Sequence, residues 1–219
     1  MPAKRHERAL IDYLSEAETE ALLNAPDRQT WAGRRDYALL MVAIHTGLRV
    51  SELCGLCGRD LVRGASAHVR CLGKGRKERC TPLSRVAAQV VGTWMDEQCT
   101  PPDGPLFPNR SGGRLSVDAV QLLLAKHVAA ARQKCPSMND KRISPHVLRH
   151  TTAMNLLHAG ASIAVIALWL GHEQLETTQI YVHADLTMKE RILAKTAPHG
   201  SRMQRFRPGD SLMAFLKAL

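Results

Sequence analysis

Arg49 lies in the stretch Thr46-Gly47-Leu48-Arg49-Val50-Ser51-Glu52-Leu53, in a tight turn between two helical stretches and immediately before a helix start. A guanidinium there adds its planar fork of donors to the free N–H groups and positive dipole end of the helix, and the combination suits a phosphate. Taken alone, such an arginine is more often a solvated or capping residue. Glu52, three residues on, can pair with it or orient a neighbour. His146 and Arg149, in Ser144-Pro145-His146-Val147-Leu148-Arg149-His150, are three apart and share a helix face, while Val147 and Leu148 turn to the core. Imidazole moves protons near neutral pH and guanidinium binds phosphate bidentately, so this pair fits phosphoryl transfer. His150 points elsewhere and reads as a structural histidine. Gly171 lets the backbone turn sharply, so His172 projects from the loop between two helices, and Tyr181 follows nine residues later. An isolated tyrosine on a helix is usually packing; here it gains weight from an ordered set. Two arginines, a histidine before the second, a histidine after a glycine turn and a later tyrosine enclose Lys74 on a hairpin between them.

Helices must position nearly all of these groups. The capping box Ser15-x-x-Glu18 starts a short amphipathic helix through Leu23. A second helix runs from about Arg35 to Ile44 and stops at Gly47; Ser51 can cap a further turn through Leu53 and Leu56. Around 67–83 the period changes. His68 to Leu72 and Arg79 to Leu83 flank Gly73-Lys74-Gly75-Arg76-Lys77, which predicts a β-hairpin with a basic tip. Helices resume over 84–98 and about 117–134, separated by a Pro- and Gly-rich loop, 100–114, expected as a hinge or surface excursion. Ser144-Pro145 opens the next helix and Gly160 closes it. Ser162 caps Ile163 to Leu170, which Gly171 ends, and Thr177 caps a helix through Tyr181. The expected fold is mainly α with a small β-hairpin or sheet, an α+β domain.

The chain has 30 Lys plus Arg against 20 Asp plus Glu in 219 residues, a net charge of +10. That surplus predicts a polyanionic partner, since cations gain free energy by displacing the counterions of a phosphate backbone. With 45% hydrophobic residues the chain can bury a core, which argues against wholesale disorder. No apolar run approaches the roughly 20 residues of a membrane helix and no apolar signal stretch follows the basic start, so a cytoplasmic protein without membrane contact is expected. Aromatic residues are too few for base-stacking platforms to be the main device. The six cysteines are expected as reduced thiols, and Cys54-x-x-Cys57, with no second such pair, does not predict a metal site. Cys71 and Cys80 would face each other if the hairpin turn centred between Gly75 and Arg76.

The motifs TGLRVSEL, LGKGRKERCTPL, SPHVLRHTTA and LGHEQLETTQIYVHA, in this order and in these contexts, resemble the catalytic domain of the tyrosine recombinases, the phage integrase and Xer group, from about Ile11 to about Ala197. The resemblance implies a site-specific recombinase that cleaves and rejoins double-stranded DNA through a 3′-phosphotyrosine, without metal, ATP or other cofactor. It implies that Arg49 and Arg149 clamp the scissile phosphate, that Tyr181 attacks phosphorus, and that Lys74 protonates the departing 5′-oxygen. His146 would accept the tyrosine proton, His172 would hydrogen-bond the phosphate, and Glu52 falls at the acidic support position. Arg76, Lys77 and Arg79, beside Lys74, are expected DNA-backbone contacts. A type IB topoisomerase uses a similar residue set, and an accessory DNA-binding protein could keep the fold without catalysis. The resemblance further implies a homotetramer on DNA. Residues 1–10 read as a basic tail, 11–200 as the catalytic domain, and 201–219 as a tail whose apolar helix, Ser211 to Leu219, docks in cis or on a neighbouring subunit. The N-terminal helical domain usual in the family is not expected in this chain.

Overall fold

The computed structural model describes residues 12–73, 78–172 and 177–178. Within them the order is α1 (Glu16–Leu23), α2 (Trp31–Thr46), α3 (Val50–Gly55), β1 (Leu61–Val62), β2 (His68–Leu72), β3 (Glu78–Pro82), α4 (Arg85–Gln98), α5 (Val117–Arg132), α6 (Pro145–His158) and α7 (Ile163–Leu170), with 3-10 turns at Gly58–Asp60 and Pro136–Asp140. This is the expected α+β architecture. Every residue from Ala38 to Ile44 is buried, so α2 is apolar on all sides. Such a helix belongs in the middle of a core, and α2 packs against both α4 and α6. Around it α1 and α3 lie on α5, and α7 lies on α6.

The helix ends follow the side-chain chemistry. Ser15 and Glu18 form the expected reciprocal cap, with Ser15 N–H donating to Glu18 Oε2 at 2.8 Å. Ser84, Ser116 and Ser162 each accept a backbone N–H at the start of α4, α5 and α7. Helix α2 starts four residues before the expected Arg35, because the Thr30 hydroxyl accepts Gly33 N–H at 3.0 Å and adds a turn.

Two further expectations change. The expected small sheet is a three-stranded antiparallel β1-β2-β3. Its register pairs Cys71 with Arg79 and Arg70 with Cys80, which centres the turn on Gly75. Cys71 and Cys80 are therefore one residue out of step and on opposite faces, one buried and one exposed, because side chains alternate along a strand. All six cysteines are free thiols. The loop 100–114 is no surface excursion: Leu106 and Phe107 are buried, Leu106 N–H donates to Leu56 O at 2.9 Å, and Arg59 N–H donates to Pro102 O at 2.8 Å. Two apolar side chains and these backbone bonds seat it beneath α3.

One buried polar cluster ties the frame together. The Asp36 carboxylate on α2 receives the Arg35 guanidinium at 2.8 Å on one oxygen and His127 Nε2, from α5, at 2.8 Å on the other. Arg35 also donates to Pro108 O at 3.0 Å, linking loop 100–114 to the same point. All three side chains are almost fully enclosed. Asp36→Ala leaves a guanidinium and an imidazole buried without their acceptor, and should lower unfolding stability by about 3–5 kcal/mol in a urea titration.

Candidate active site

The site grows from two helix C-termini. The last carbonyls of an α-helix have no intrahelical partner and carry the negative end of its dipole, so they attract donors, especially cationic ones. Helix α2 ends at Gly47 and α7 at Gly171, both in the left-handed conformation at φ +63° and +66°. Only glycine takes that geometry cheaply, and crowding adds to the requirement. A Cβ on Gly47 would lie 2.6 Å from Leu170 Cδ2, and one on Gly171 2.9 Å from Arg79 Nη1. The two ends thus meet closely, and their carbonyls are shared between two arginines. Arg149 donates through Nη1 to Gly47 O and through Nη2 to Leu170 O, each at 2.6 Å. Arg49 donates through Nη2 to Gly171 O at 3.3 Å. Residues separated by a hundred positions in the chain are brought to one point by the way α2, α6 and α7 pack.

Arg49 itself starts α3. The expected Ser51 cap is replaced two residues earlier, at Arg49: Arg49 N–H donates to Glu52 Oε2 at 2.7 Å, and Arg49 Nη1 to Glu52 Oε1 at 3.0 Å. Glu52 is 6% exposed and Arg49 36%, so the carboxylate is sunk while the guanidinium reaches the surface. Burial pushes the Glu52 carboxyl up, but hydrogen bonds from Arg79 and from the Arg49 backbone and side chain outweigh it and hold the group below the usual carboxylate range. Beside Arg49 a cleft of about 820 Å³ opens between α3 and the β2–β3 hairpin, lined by Ser51, Arg59, Arg70 and Gly73.

Arg79 is the clear departure from expectation. Rather than facing DNA, its guanidinium turns inward and makes a two-pronged pair with Glu52, Nη1 to Oε1 at 3.0 Å and Nη2 to Oε2 at 2.7 Å, at 11% exposure. The reason is the pleat: in β3, Thr81 is buried while Glu78 and Cys80 are exposed, so Arg79 shares the inner face. Glu52 thus sits between two guanidiniums, Arg49 toward the surface and Arg79 beneath.

His172 follows Gly171, and its N–H bonds back to Ala167 O at 2.9 Å, which fixes the exit of the chain from α7. Its Nδ1 lies 2.8 Å from the buried Thr178 hydroxyl. Burial first, then the charges of Arg149, Arg49 and Arg79, push its pKa down to about 4. The ring is neutral at pH 7, with Nδ1 occupied by Thr178. His150, half-buried one residue past Arg149, is also lowered, by burial and then by His146 and Arg149. His146 is exposed in the first turn of α6, one turn before the buried Arg149.

A histidine held neutral makes stability depend on pH. Below the ordinary value of 6.5 the unfolded chain takes up a proton that folded His172 refuses until about pH 4. Stability is therefore undiminished above about 6.5 and falls between 6.5 and 4, by about 1–2 kcal/mol once the shift is discounted for partial exposure. Urea midpoints at pH 7 and 4.5 should differ less in His172→Asn than in the wild type. A residual slope from His45 and His150, shifted the same way, remains.

The described residues thus bring Arg49, Glu52, Arg79, Arg149 and His172 together. Lys74, Arg76, Lys77 and Tyr181 lie outside the described residues, as do the tails 1–10 and 201–219. Residues 12–188 match the phage integrase family. The chain belongs to the phage integrase family. A Sinorhizobium fredii (strain NBRC 101917 / NGR234) protein assigned as an integrase/recombinase, y4rC, is 53% identical over 219 residues, covering 100% of this chain and 66% of its own length. The tyrosine recombinase XerD of Pseudomonas putida (strain KT2440) is 36% identical over 198 residues, covering 88% of this chain and 64% of its own. Among solved structures, that of the XerA recombinase superposes with a TM-score of 0.73 at 27% identity, over 91% of this chain and 68% of that one. The chain spans about two thirds of the length of the curated relatives it matches. The fold is that of phage integrase catalytic domains, and among the described residues Arg49, Arg149 and His172 of those motifs lie where the ends of α2 and α7 converge.

Three contributors escaped the sequence: the carbonyls of Gly47 and Leu170 that seat Arg149, the Thr178 hydroxyl on His172, and the inward turn of Arg79. The last had a signal, the alternation of β3.

Proposed function

We propose that the chain carries the catalytic centre of a site-specific recombinase that cuts and rejoins double-stranded DNA, in integration, excision or resolution. The observation that supports this most is the pair Arg49 and Arg149, whose guanidiniums bond the neighbouring carbonyls of Gly171 and Leu170 at the end of α7. A phosphodiester there gains charge-assisted hydrogen bonds in the ground state and stronger ones as charge grows on its non-bridging oxygens at the transition state. In the proposed step the Tyr181 oxygen bonds to phosphorus as the bond to the 5′-oxygen breaks, His146 takes the phenol proton, and Lys74 gives a proton to the leaving 5′-oxygen, which departs as a hydroxyl. The phosphotyrosine keeps the energy of the broken bond, so attack by a 5′-hydroxyl reverses the step and no nucleotide is spent.

His172 fits a donor role in this scheme. In the tautomer whose Nδ1 accepts from the Thr178 hydroxyl, the ring proton sits on Nε2 and could be donated to a phosphate oxygen without adding a full charge. Arg76 and Lys77 remain proposed backbone contacts, and the +10 charge supports a DNA affinity that falls steeply with salt. Assembly as a tetramer belongs to the same proposal. Its support is the apolar face of α7, where Val165 is 48% and Leu168 78% exposed, with the 201–219 segment of a second copy as the occupant. Among the described residues no helix is long and apolar enough to cross a membrane. The test is capture of a covalent protein–DNA adduct that depends on Tyr181; strand exchange between two duplexes, rather than loss of supercoils alone, separates a recombinase from a relaxing topoisomerase.

A further inference from the structure

We propose that Arg79 is a positioning residue of the reaction, which acts through Glu52 to keep the charge of Arg49 available to the scissile phosphate. The inference rests on the recombinase reading of the site. Glu52 is 6% exposed and ionised, and both of its oxygens are bonded by both arginines. Arg79 supplies the two-pronged contact from β3, while Arg49 reaches the same carboxylate with one side-chain nitrogen and its backbone N–H. Arg79 Nε has no hydrogen-bond partner and is buried, so nothing in this side chain is directed outward toward a ligand.

The charge count shows what the arrangement does. Arg49, Glu52 and Arg79 together carry +1. With Arg79 neutralising the carboxylate from beneath, the field of Arg49 above is left for an anion. Remove Arg79 and the cluster is neutral: a buried carboxylate then has Arg49 as its cationic partner, and the cost of an unpaired buried charge draws that guanidinium down onto it. The phosphate loses one of its two clamps without any substitution at a residue that touches it. Arg79 also lies beneath Gly171, so it joins the hairpin, the start of α3 and the end of α7 at one point.

The experiment measures single-turnover formation of the covalent adduct on a nicked duplex with full-length protein in excess, together with the half-saturating protein concentration, its salt dependence and thermal unfolding. Arg79→Met should slow adduct formation by about 100-fold, the size of loss seen when one transition-state donor is misplaced. Half-saturation should stay within about threefold, since only the reacting phosphate is affected. In the Glu52→Gln background there is no carboxylate to neutralise, and Arg79→Met should then cost less than about threefold. Equal losses in the two backgrounds, an unchanged rate in Arg79→Met, or a salt slope shallower by about 0.9, as for a lost phosphate contact, would overturn the proposal. If Arg79→Met fails to fold, Arg79→Lys serves: it keeps the charge that neutralises Glu52 but not the fork, so it should form adduct within about tenfold of wild type at unchanged half-saturation and salt slope. A loss of about 100-fold in folded Arg79→Lys, or a shallower slope, would overturn the role. Absence of any wild-type adduct would instead count against the recombinase reading.

Discussion

Arg149→Ala should lower the rate of covalent adduct formation by about 1,000-fold or more, because it deletes a preorganised cation where charge develops on phosphorus. The effect should exceed that of any surface arginine. Arg149 is 6% exposed and held by two helix-terminal carbonyls at 2.6 Å, so its fork reaches the site with little freedom left to lose. The same bonds predict a second effect. Without the guanidinium, Gly47 O and Leu170 O lose a buried donor, and each unsatisfied carbonyl costs about 1–3 kcal/mol. Arg149→Ala should therefore also melt several degrees lower, and the kinetic comparison belongs well below that transition. Arg149→Lys should rescue stability in part and rate poorly, since an ammonium cannot span both carbonyls and present a planar fork to the phosphate. A rate within about tenfold of wild type for Arg149→Ala would mean that this arginine is a structural clasp for α2 and α7 and nothing more.

Much of this frame is legible in the sequence. Ser15 and Ser162 cap where hydroxyls precede apolar periodicity, and Gly47 and Gly171 stop helices where a left-handed residue is required. These are local signals, decided within a turn or two of chain, and the reactive motifs sit beside them. What stayed hidden depends on contacts far apart in sequence. Asp36 and His127 are 91 positions apart, and nothing in either neighbourhood marks them as partners. Arg149 and Gly47 are 102 apart, so a buried arginine seated on carbonyls looks in sequence like any helical arginine. The loop 100–114 was misjudged because its prolines and glycines suggest exposure, whereas Leu106 and Phe107 anchor it. Arg79 is hidden for a different reason. The run of charges from Arg76 to Arg79 reads in sequence as uniformly solvated, but strand alternation in β3 puts Arg79 on the inner face with Thr81, opposite Glu78 and Cys80.

In the proposed reaction Tyr181 is the nucleophile. A phenol with a pKa of about 10 is a weak nucleophile at neutral pH, and it becomes competent only where a base takes its proton and cations steady the developing charge. In the proposed reaction the cluster of Arg49, Arg149 and neutral His172 meets the second condition, and His146, exposed one turn before Arg149, is the proposed base for the first. If this account holds, loss of the tyrosine oxygen removes the covalent step completely while leaving the fold and the DNA affinity as they were. The direct measurement is SDS-resistant adduct formation on a pool of duplexes nicked so that a short 5′-hydroxyl fragment escapes after cleavage. Wild-type protein should form an adduct joined to the 3′-phosphate side, and Tyr181→Phe should bind the same pool with equal affinity and form none. An adduct that persists in Tyr181→Phe, or wild-type protein that binds the pool and never becomes linked to it, would contradict the account.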